Sequence, residues 1–562
     1  MTTPYTVERP RVETRRVVVQ HVDSLGDRCD FFDFGKAAFG TLRIPLEGEG
    51  RLVVHLGEKL GKDGRLDRRP PGSIRYQKVE VEVRPGTGCV TLEIPPDQRN
   101  TGPGAIAMPE RVGEVLPFRY AEIEHAGGVR IGREEVVQLA AQVAFDEGAS
   151  DFESSDPVLN AVWKLCKYSI KATSFCGVYV DGDRERIPYE GDAYINQLSH
   201  YAVDSEYRMA RYTHEYLLRH PTWVTEWNLH SVLMASADYE YTGETESFRV
   251  FYEDLKRKTL LELAREDGLI STQTGLLTRK IEEGLNLHHE KYIFPDGMKD
   301  LVDWPWAGFA GEEPGENDGH EMVPVNTVIN AFHFRTVVLM SRIAAVLGKD
   351  EESGFFRRRA EQVRATILDK LFDEDRGVFV DGEGSRHSSL HANMFPLAFG
   401  LVPKTALKTV IAFIKSRGMA CSVYGAQHLL DGLYRYRESE YGLGLMTARH
   451  DRSWWNMLEA GSTITLEAWD WKYKNNLDWN HAWGAAPANL IPRWVAGIRP
   501  AEPGFGKVRI DPQPGGLEWF RCKHPTPRGP VEVEVERKPD GSYAKKVELP
   551  EGMGRESLVG GQ

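Results

Sequence analysis

Cysteine is scarce here, six residues in 562, at Cys29, Cys89, Cys166, Cys176, Cys421 and Cys522. None form a C-x-x-C pair, which excludes a disulfide framework or a zinc site and predicts buried free thiols. No run of about 18 apolar residues occurs, so no membrane-spanning helix is expected. A basic excess is also missing. Lys plus Arg total 70 against 83 Asp plus Glu, a formal net charge of -13. Nucleic-acid binding needs a basic face for phosphates and is not expected. There is no G-x-x-x-x-G-K-[ST], no G-x-G-x-x-G after a strand, no H-E-x-x-H and no D-x-[DN]-x-[DN]-G loop. Nucleotide-driven chemistry, zincin chemistry and an EF-hand calcium loop lose their usual signatures. No cofactor and no metal is expected. Met1 to Gln20 is polar and lacks an apolar stretch before a small-residue cleavage site, from which a cytoplasmic location is expected.

What remains is an ordinary globular composition, 41% hydrophobic and 27% charged. The length corresponds to about three or four domains. Residues 1–150 read as strand. Leu52-Val53-Val54-His55-Leu56 is a short, mostly apolar run, and Val79-Glu80-Val81-Glu82-Val83 alternates apolar with charged, the period of a half-buried strand. Turn signals at Gly48-Glu49-Gly50, Pro70-Pro71-Gly72, Pro85-Gly86 and Gly127-Gly128 separate the segments, which predicts a β-sandwich.

The period changes after residue 150. Asp156 is placed to cap a helix with Pro157 in its first turn, and Val158, Leu159, Val162, Leu165, Cys166, Ser169 and Ile170 line one face of it. Similar patterns recur at roughly 251–264, 325–347 and 353–372, with Gly348 placed to end the 325–347 run. Residues 151–498 therefore predict an all-helical domain of repeated helix pairs, an α/α toroid or a bundle. From 499 to 562 the strand period returns, clearest in Val531-Glu532-Val533-Glu534-Val535-Glu536. A β domain of that size makes a poor independent core and is expected to pack on the helices.

Two segments of the helical zone mix carboxylates with aromatics. Asp181 to Asp192 is dense in charge, and its Gly182, Pro188 and Gly191 predict a loop. Taken alone, such a loop also reads as a solvated connection. Gly461 to Asp470 leads on to Leu477-Asp478-Trp479-Asn480-His481-Ala482-Trp483. Seven of the 13 tryptophans lie from Trp454 to Trp494. Tryptophan alone argues core. Mixed with Glu, Asp, Asn and His, it suits a sugar, whose apolar face stacks on indole while its hydroxyls bond polar neighbours. Two carboxylates far apart in sequence, meeting in one pocket, are the parts needed for glycoside hydrolysis.

These residues resemble the bacterial α-L-rhamnosidases of glycoside hydrolase family 78. Phe32-Asp33-Phe34-Gly35 through Gly40 and Phe118-Arg119-Tyr120-Ala121-Glu122 are similar to the sandwich that precedes the catalytic domain. Asp181 to Asp192 resembles the acid-bearing D-C-P-x-R-E-R-x-G-W-x-G-D loop. Gly461 to Trp469 resembles the G-x-T-x-x-W-E-x-W segment, and Asn480-His481 the N-H that follows. Ala496-Gly497-Ile498-Arg499-Pro500, Pro503-Gly504-Phe505 and Pro512-Gln513-Pro514 resemble the start of the C-terminal β domain.

The resemblance implies a multidomain chain. An (α/α)6 barrel catalytic domain is flanked by an N-terminal β-sandwich and a small C-terminal β-sandwich domain. It implies an exo-acting, inverting hydrolase of terminal α-L-rhamnose, with Glu185 as general acid and Glu467 as general base. Asp181, Asp183, Arg184, Tyr189, Asp192 and His481 fall at or near the sugar. Asp303, Trp304, Trp306 and Trp227 are further candidates for the pocket, with core packing as the competing reading of the tryptophans. For inversion the two carboxyls should stand about 6.5–9.5 Å apart. Glu185 is expected to be raised by burial or by a neighbouring carboxylate, Asp183 or Asp192.

The sequence departs from the family pattern at three places. Gly182-Asp183 replaces Cys-Pro-x, so Asp181 and Asp183 both qualify as the first aspartate. Tyr189 and Leu466 stand where the family has tryptophans, and both are expected to line the pocket. A glycosidase of the same fold acting on another sugar, or a non-catalytic carbohydrate-binding protein, stays open beside the rhamnosidase. A small rhamnoside or oligosaccharide is the expected partner, with no nucleic acid and no membrane, and a homodimer is left open. His288, His289 and Glu290 are read as an exposed loop, Arg357-Arg358-Arg359 as a solvated helix face, and Asp318-Gly319-His320-Glu321 as a turn.

Overall fold

The computed structural model describes residues 4–26, 28–287, 297–306 and 315–556. The His288-His289-Glu290 stretch lies outside these. Among the described residues no helix is long and apolar enough to cross a membrane, and all six cysteines are free.

The N-terminal region is β-rich. A long strand, Cys29–Glu47, pairs antiparallel with Leu116–Gly127 on one side and Val137–Val143 on the other. Gly50–Gly57 and Tyr76–Val83 extend the sheet beyond Leu116–Gly127, and Val12–Val18 closes the opposite edge. The alternating Val79 to Val83 segment thus lies in an edge strand, where one face can stay wet. Phe32, Leu42, Leu52, Val54, Phe118 and Ile123 form the apolar core of this region.

Asp156 accepts from the amides of Val158 and Leu159 at 2.8 and 3.1 Å and so starts the helix Pro157–Ala172. Beyond it six helical segments form a closed ring. Glu190–Val203 touches Thr225–Thr242, which touches Thr327–Val346, then Leu390–Phe399, then Val423–Arg435, then Pro487–Leu490, which returns to Glu190–Val203. These ring helices are buried almost all round. Helices outside the ring, such as Asp350–Lys370, bury one stripe only, here Phe356, Ala360, Val363 and Ile367. Arg357 and Arg358 on that helix face solvent.

Of two expected helices, one ends where the sequence places its stop and the other is broken. The 325–347 run ends as read, with Gly348 at φ 71° and the Lys349 amide reaching back to the Ala344 carbonyl at 2.9 Å. The 251–264 run instead breaks into Tyr252–Arg257 and a short turn at Leu261–Leu263, because Leu260 between them is left-handed at φ 58°.

The C-terminal sheet draws a strand from outside its own segment. Asp151–Ser154, assigned above to the start of the helical zone, pairs antiparallel with Trp519–His524, which continues to Val531–Arg537 and Tyr543–Glu548. Phe152 and Ser154 point inward while Asp151 and Glu153 point out, a two-residue period hidden in a stretch of four. Phe152 meets Phe520 and Trp163. This strand ties the small sheet to the first helix, and the two share one continuous core.

Candidate active site

A cavity opens beside the N-terminal ends of the ring helices Glu190–Val203 and Thr225–Thr242. Its wall comes from Asp181 to Asp192, Trp223 and Trp227, Trp304, and the loop from Glu467 to Trp483.

The acid loop is shaped by close packing. Gly182 has φ 98°, and a Cβ on it would lie 2.7 Å from Asn480 Oδ1. Asn480 Oδ1 accepts from the Asp183 amide at 2.8 Å. The Asp181 amide donates to the Ile187 carbonyl and Asp181 Oδ1 accepts from the Ile187 amide, which closes the loop on itself. Gly191 begins the next helix against Trp227, whose Nε1 would be 2.8 Å from an added Cβ.

Within this frame one guanidinium meets both carboxylates. Arg184 Nε lies 3.3 Å from Glu185 Oε1, and Arg184 Nη1 lies 2.6 Å from Glu467 Oε2. Glu467 is 2% exposed and Glu185 20%, so Glu185 is the carboxyl nearer solvent. Burial alone would raise Glu467, but Arg184, Lys474 and His481 outweigh it and hold its carboxyl at about 2. The Tyr189 hydroxyl donates to Glu185 Oε2 at 2.9 Å.

Asp181 behaves in the opposite way. Burial and the neighbouring Glu185 push it well above the usual carboxylate range, against Arg184 and His481. Its Oδ2 is buried without a hydrogen-bond partner among the described residues. Asp183 and Asp192, the neighbouring carboxylates expected beside Glu185, are instead paired with Arg75 and Arg186 and with His481. Asp192 Oδ1 lies 2.6 Å from His481 Nε2, and Asp478 Oδ1 lies 3.5 Å from His481 Nδ1. Burial would lower His481, yet the two aspartates win and raise it well above its ordinary value. The result is an imidazolium held between two carboxylates.

Several expected pocket residues serve as anchors instead. Asp183 does not line the cavity. It is fully buried between Arg75 Nε at 2.7 Å and Arg186 Nη2 at 2.9 Å, and Asn100 donates to its carbonyl. Arg75 and Asn100 belong to the N-terminal β region, so that region fixes the acid loop from behind. Asp303 is also turned away, accepting from His391 at 2.6 Å and from the Ser422 amide at 3.0 Å. Its neighbour Trp304 does reach the cavity, because Glu226 accepts from the amides of Leu301 and Val302 and holds the loop. Trp306 packs edge-on behind Trp304 at 5.3 Å. Leu466 is buried away from the cavity, whereas Tyr189 lines it and meets Trp227 edge-on. Asp318 and His320 form a turn beside the ring helix Leu390–Phe399, Asp318 accepting from the Leu390 amide at 2.7 Å.

Lys474, Asn476, Ile187, Trp223 and Trp483 line the cavity and had not been singled out as site residues. Lys474 and Asn476 fall inside the stretch between Glu467 and His481. A lysine in the stretch Trp471-Lys472-Tyr473-Lys474-Asn475-Asn476 gives no sequence sign of burial. Trp483 had a detectable signal, lying two residues past His481, and its Nε1 donates to the Glu467 carbonyl at 2.9 Å.

Among the described residues, Glu467, Asp478 and His481 bring ligand atoms within 4.8 Å of one another. This set does not fit a metal. Glu467 already carries two cationic partners, and His481 holds its proton between two carboxylates.

Comparison with known proteins shows the family and the fold. Residues 147–495 match the family model described as the bacterial alpha-L-rhamnosidase six-hairpin glycosidase domain, and residues 497–556 match the bacterial alpha-L-rhamnosidase C-terminal domain. An alpha-L-rhamnosidase from Alteromonas sp. (strain LOR) is 26% identical over 262 residues, covering 43% of this chain and 26% of that protein. A native α-L-rhamnosidase structure from Aspergillus terreus shares the fold at TM-score 0.76 and 18% identity, over 97% of this chain and 61% of that one. The Streptomyces avermitilis α-L-rhamnosidase complexed with L-rhamnose does so at TM-score 0.73 and 17% identity, over 97% and 50%. The chain thus spans between half and two thirds of those two solved relatives, and its match spans about a quarter of the Alteromonas protein.

Proposed function

The chain belongs to the bacterial α-L-rhamnosidase six-hairpin glycosidase family, and from that premise we propose that it is an exo-acting hydrolase that releases terminal α-L-rhamnose with inversion. The observation that carries this reading is the Arg184 bridge between Glu185 and Glu467, in a cavity walled by indoles. We read the closed helix ring as an (α/α)6 barrel, flanked by an N-terminal β-sandwich and a small C-terminal one.

Glu185 is the general acid, whose proton passes to the glycosidic oxygen as the bond to the anomeric carbon breaks. Glu467 is the general base. Its carboxylate takes a proton from a water whose oxygen bonds the anomeric carbon on the opposite face. Solvent then removes the proton from Glu467 and returns one to Glu185. Glu467, held at about 2 by its cations, stays ionised across the neutral range. Arg184 fixes both carboxylates relative to one another, which supplies orientation. Asp181, whose carboxyl burial and Glu185 push well above the usual carboxylate range, lines the cavity within reach of a sugar hydroxyl. Trp227, Trp304 and Trp483 offer indole surface to the ring and its methyl group.

The test is release of p-nitrophenol from p-nitrophenyl α-L-rhamnopyranoside by the wild type, with Glu185→Gln and Glu467→Gln beside it. Turnover lost in folded Glu467→Gln supports the reading, and turnover undiminished in both variants contradicts it. A second reading, another deoxy or manno-configured sugar, is favoured by Tyr189, whose hydroxyl on Glu185 a tryptophan would not supply. A panel of aryl glycosides separates the two.

A further inference from the structure

We propose that Lys474 is a positioning residue for the base of this reaction, clamping Glu467 Oε1 while Arg184 clamps Oε2. The proposal rests on the reading of Glu467 as base. Lys474 leaves the turn Trp471–Lys474 between the exposed residues Lys472 and Asn475, yet its own side chain is 1% exposed. Burying an ammonium is costly unless each proton finds a partner. Here each does. Nζ lies 3.3 Å from Glu467 Oε1, donates to Asn476 Oδ1, and stands 5.7 Å from the centre of the Trp304 ring.

Arg184 spreads its N–H groups over three carboxyl groups, with Nη1 on Glu467, Nε 3.3 Å from Glu185 and Nη2 3.9 Å from Asp181. Two of these are on the acid side of the site. Lys474 pairs with Glu467 alone. With both oxygens fixed, the plane of the carboxylate is set, and only the lone pairs not aimed at the two cations are available to a water.

Clamping has an electrostatic consequence. The charged groups facing Glu467 are Arg184 from the acid loop, Lys474, Asp478 and His481 from its own loop, and Asp192 from the first turn of the next helix. Removing the Lys474 charge leaves the two aspartates less opposed, so Glu467 takes up a proton more easily and the base is lost at a higher pH.

The experiment is the pH profile of kcat/KM on p-nitrophenyl α-L-rhamnopyranoside for the wild type, Lys474→Met and Lys474→Arg. Lys474→Gln replaces the methionine variant if that one does not fold. The acid limb of the uncharged variant is expected to move up by about one pH unit or more, while Lys474→Arg stays close to the wild type. Coincident limbs, or an arginine variant that shifts as far as methionine, overturn the proposal. Absence of turnover in the wild type counts against the hydrolase reading instead, and melting temperature then serves as the readout. The excess of the wild type over Lys474→Met should be largest above about pH 4.5 and shrink as the pH falls through about 2, where the wild type's Glu467 also takes up its proton. In a Glu467→Gln background the excess should not vary with pH. A pH-independent excess with Glu467 present overturns the proposal.

Discussion

Arg184 and Glu467 stand 283 residues apart in sequence and meet at 2.6 Å, Nη1 to Oε2, on the floor of the cavity. The same guanidinium reaches Glu185 through Nε. Arg184→Lys keeps a charge but loses the planar fork that serves two carboxylates at once. Steady-state kinetics should find kcat/KM lower by about 100-fold or more, the cost of misplacing reacting groups by about 1 Å. A lysine variant within a few-fold of the wild type would remove Arg184 from the account.

The two carboxylates should fail in different ways. Glu467→Gln should lose about 10²–10⁴-fold on every substrate, because the attacking water always needs its base. Glu185→Gln should lose that much on an alkyl or glycosyl leaving group and far less on p-nitrophenol, which departs without protonation. Comparing the two variants on one activated and one unactivated rhamnoside checks the assignment. Equal sensitivity to leaving group in both variants would contradict it.

Asp183 tests whether the N-terminal region belongs to the site's support. It is buried between Arg75 and Arg186, and Asp183→Asn leaves two arginines facing an uncharged amide. Removing one partner of a buried pair costs about 3–5 kcal/mol. Denaturant unfolding should register that loss. The same variant should also be slower per folded molecule, since Asp183 anchors the loop carrying Glu185.

Stability should fall as the pH rises through the neutral range. Burial pushes Glu58, Glu226 and Glu316 up to about 8 from an ordinary 4.5. Between those values the folded chain holds protons that the unfolded chain has released, so each such group lowers stability by about 1.4 kcal/mol per pH unit over that window. Glu58 accepts from the Arg75 amide at 2.8 Å and from Asn480 Nδ2 at 3.1 Å. Glu58→Gln should flatten the decline of melting temperature between about pH 5 and 8. A slope equal to that of the wild type would refute the assignment for Glu58.

Much of this arrangement was legible in the sequence, for identifiable reasons. The Pro157–Ala172 helix was readable because Asp156, Pro157 and its apolar stripe are all local signals. The Glu467 segment was readable because charge beside tryptophan is uncommon in a core, and the Asp181 to Asp192 loop because carboxylates and arginines crowd into a Gly- and Pro-marked stretch between helical patterns. Asp151–Ser154 was not, because four residues of alternation before a helix cap carry little pattern, and the partner strand lies more than 360 residues away. The roles of Asp183 and Asp303 were also hidden. Each sits beside true cavity residues, and only the placement of Arg75 and His391 turns it away. Lys474 was overlooked because lysine between polar neighbours reads as surface, and its burial depends on Glu467 and Trp304 arriving from elsewhere.

The most direct test of the proposed pair is the configuration of the sugar as it leaves the enzyme. Proton NMR can follow the anomeric signal during the first minutes of hydrolysis of p-nitrophenyl α-L-rhamnopyranoside, before mutarotation scrambles it. With Glu467 activating a water on the face opposite the leaving group, β-L-rhamnose should appear first and the α anomer only later. First release of α-L-rhamnose would mean retention through a covalent intermediate and would contradict the roles given to Glu185 and Glu467.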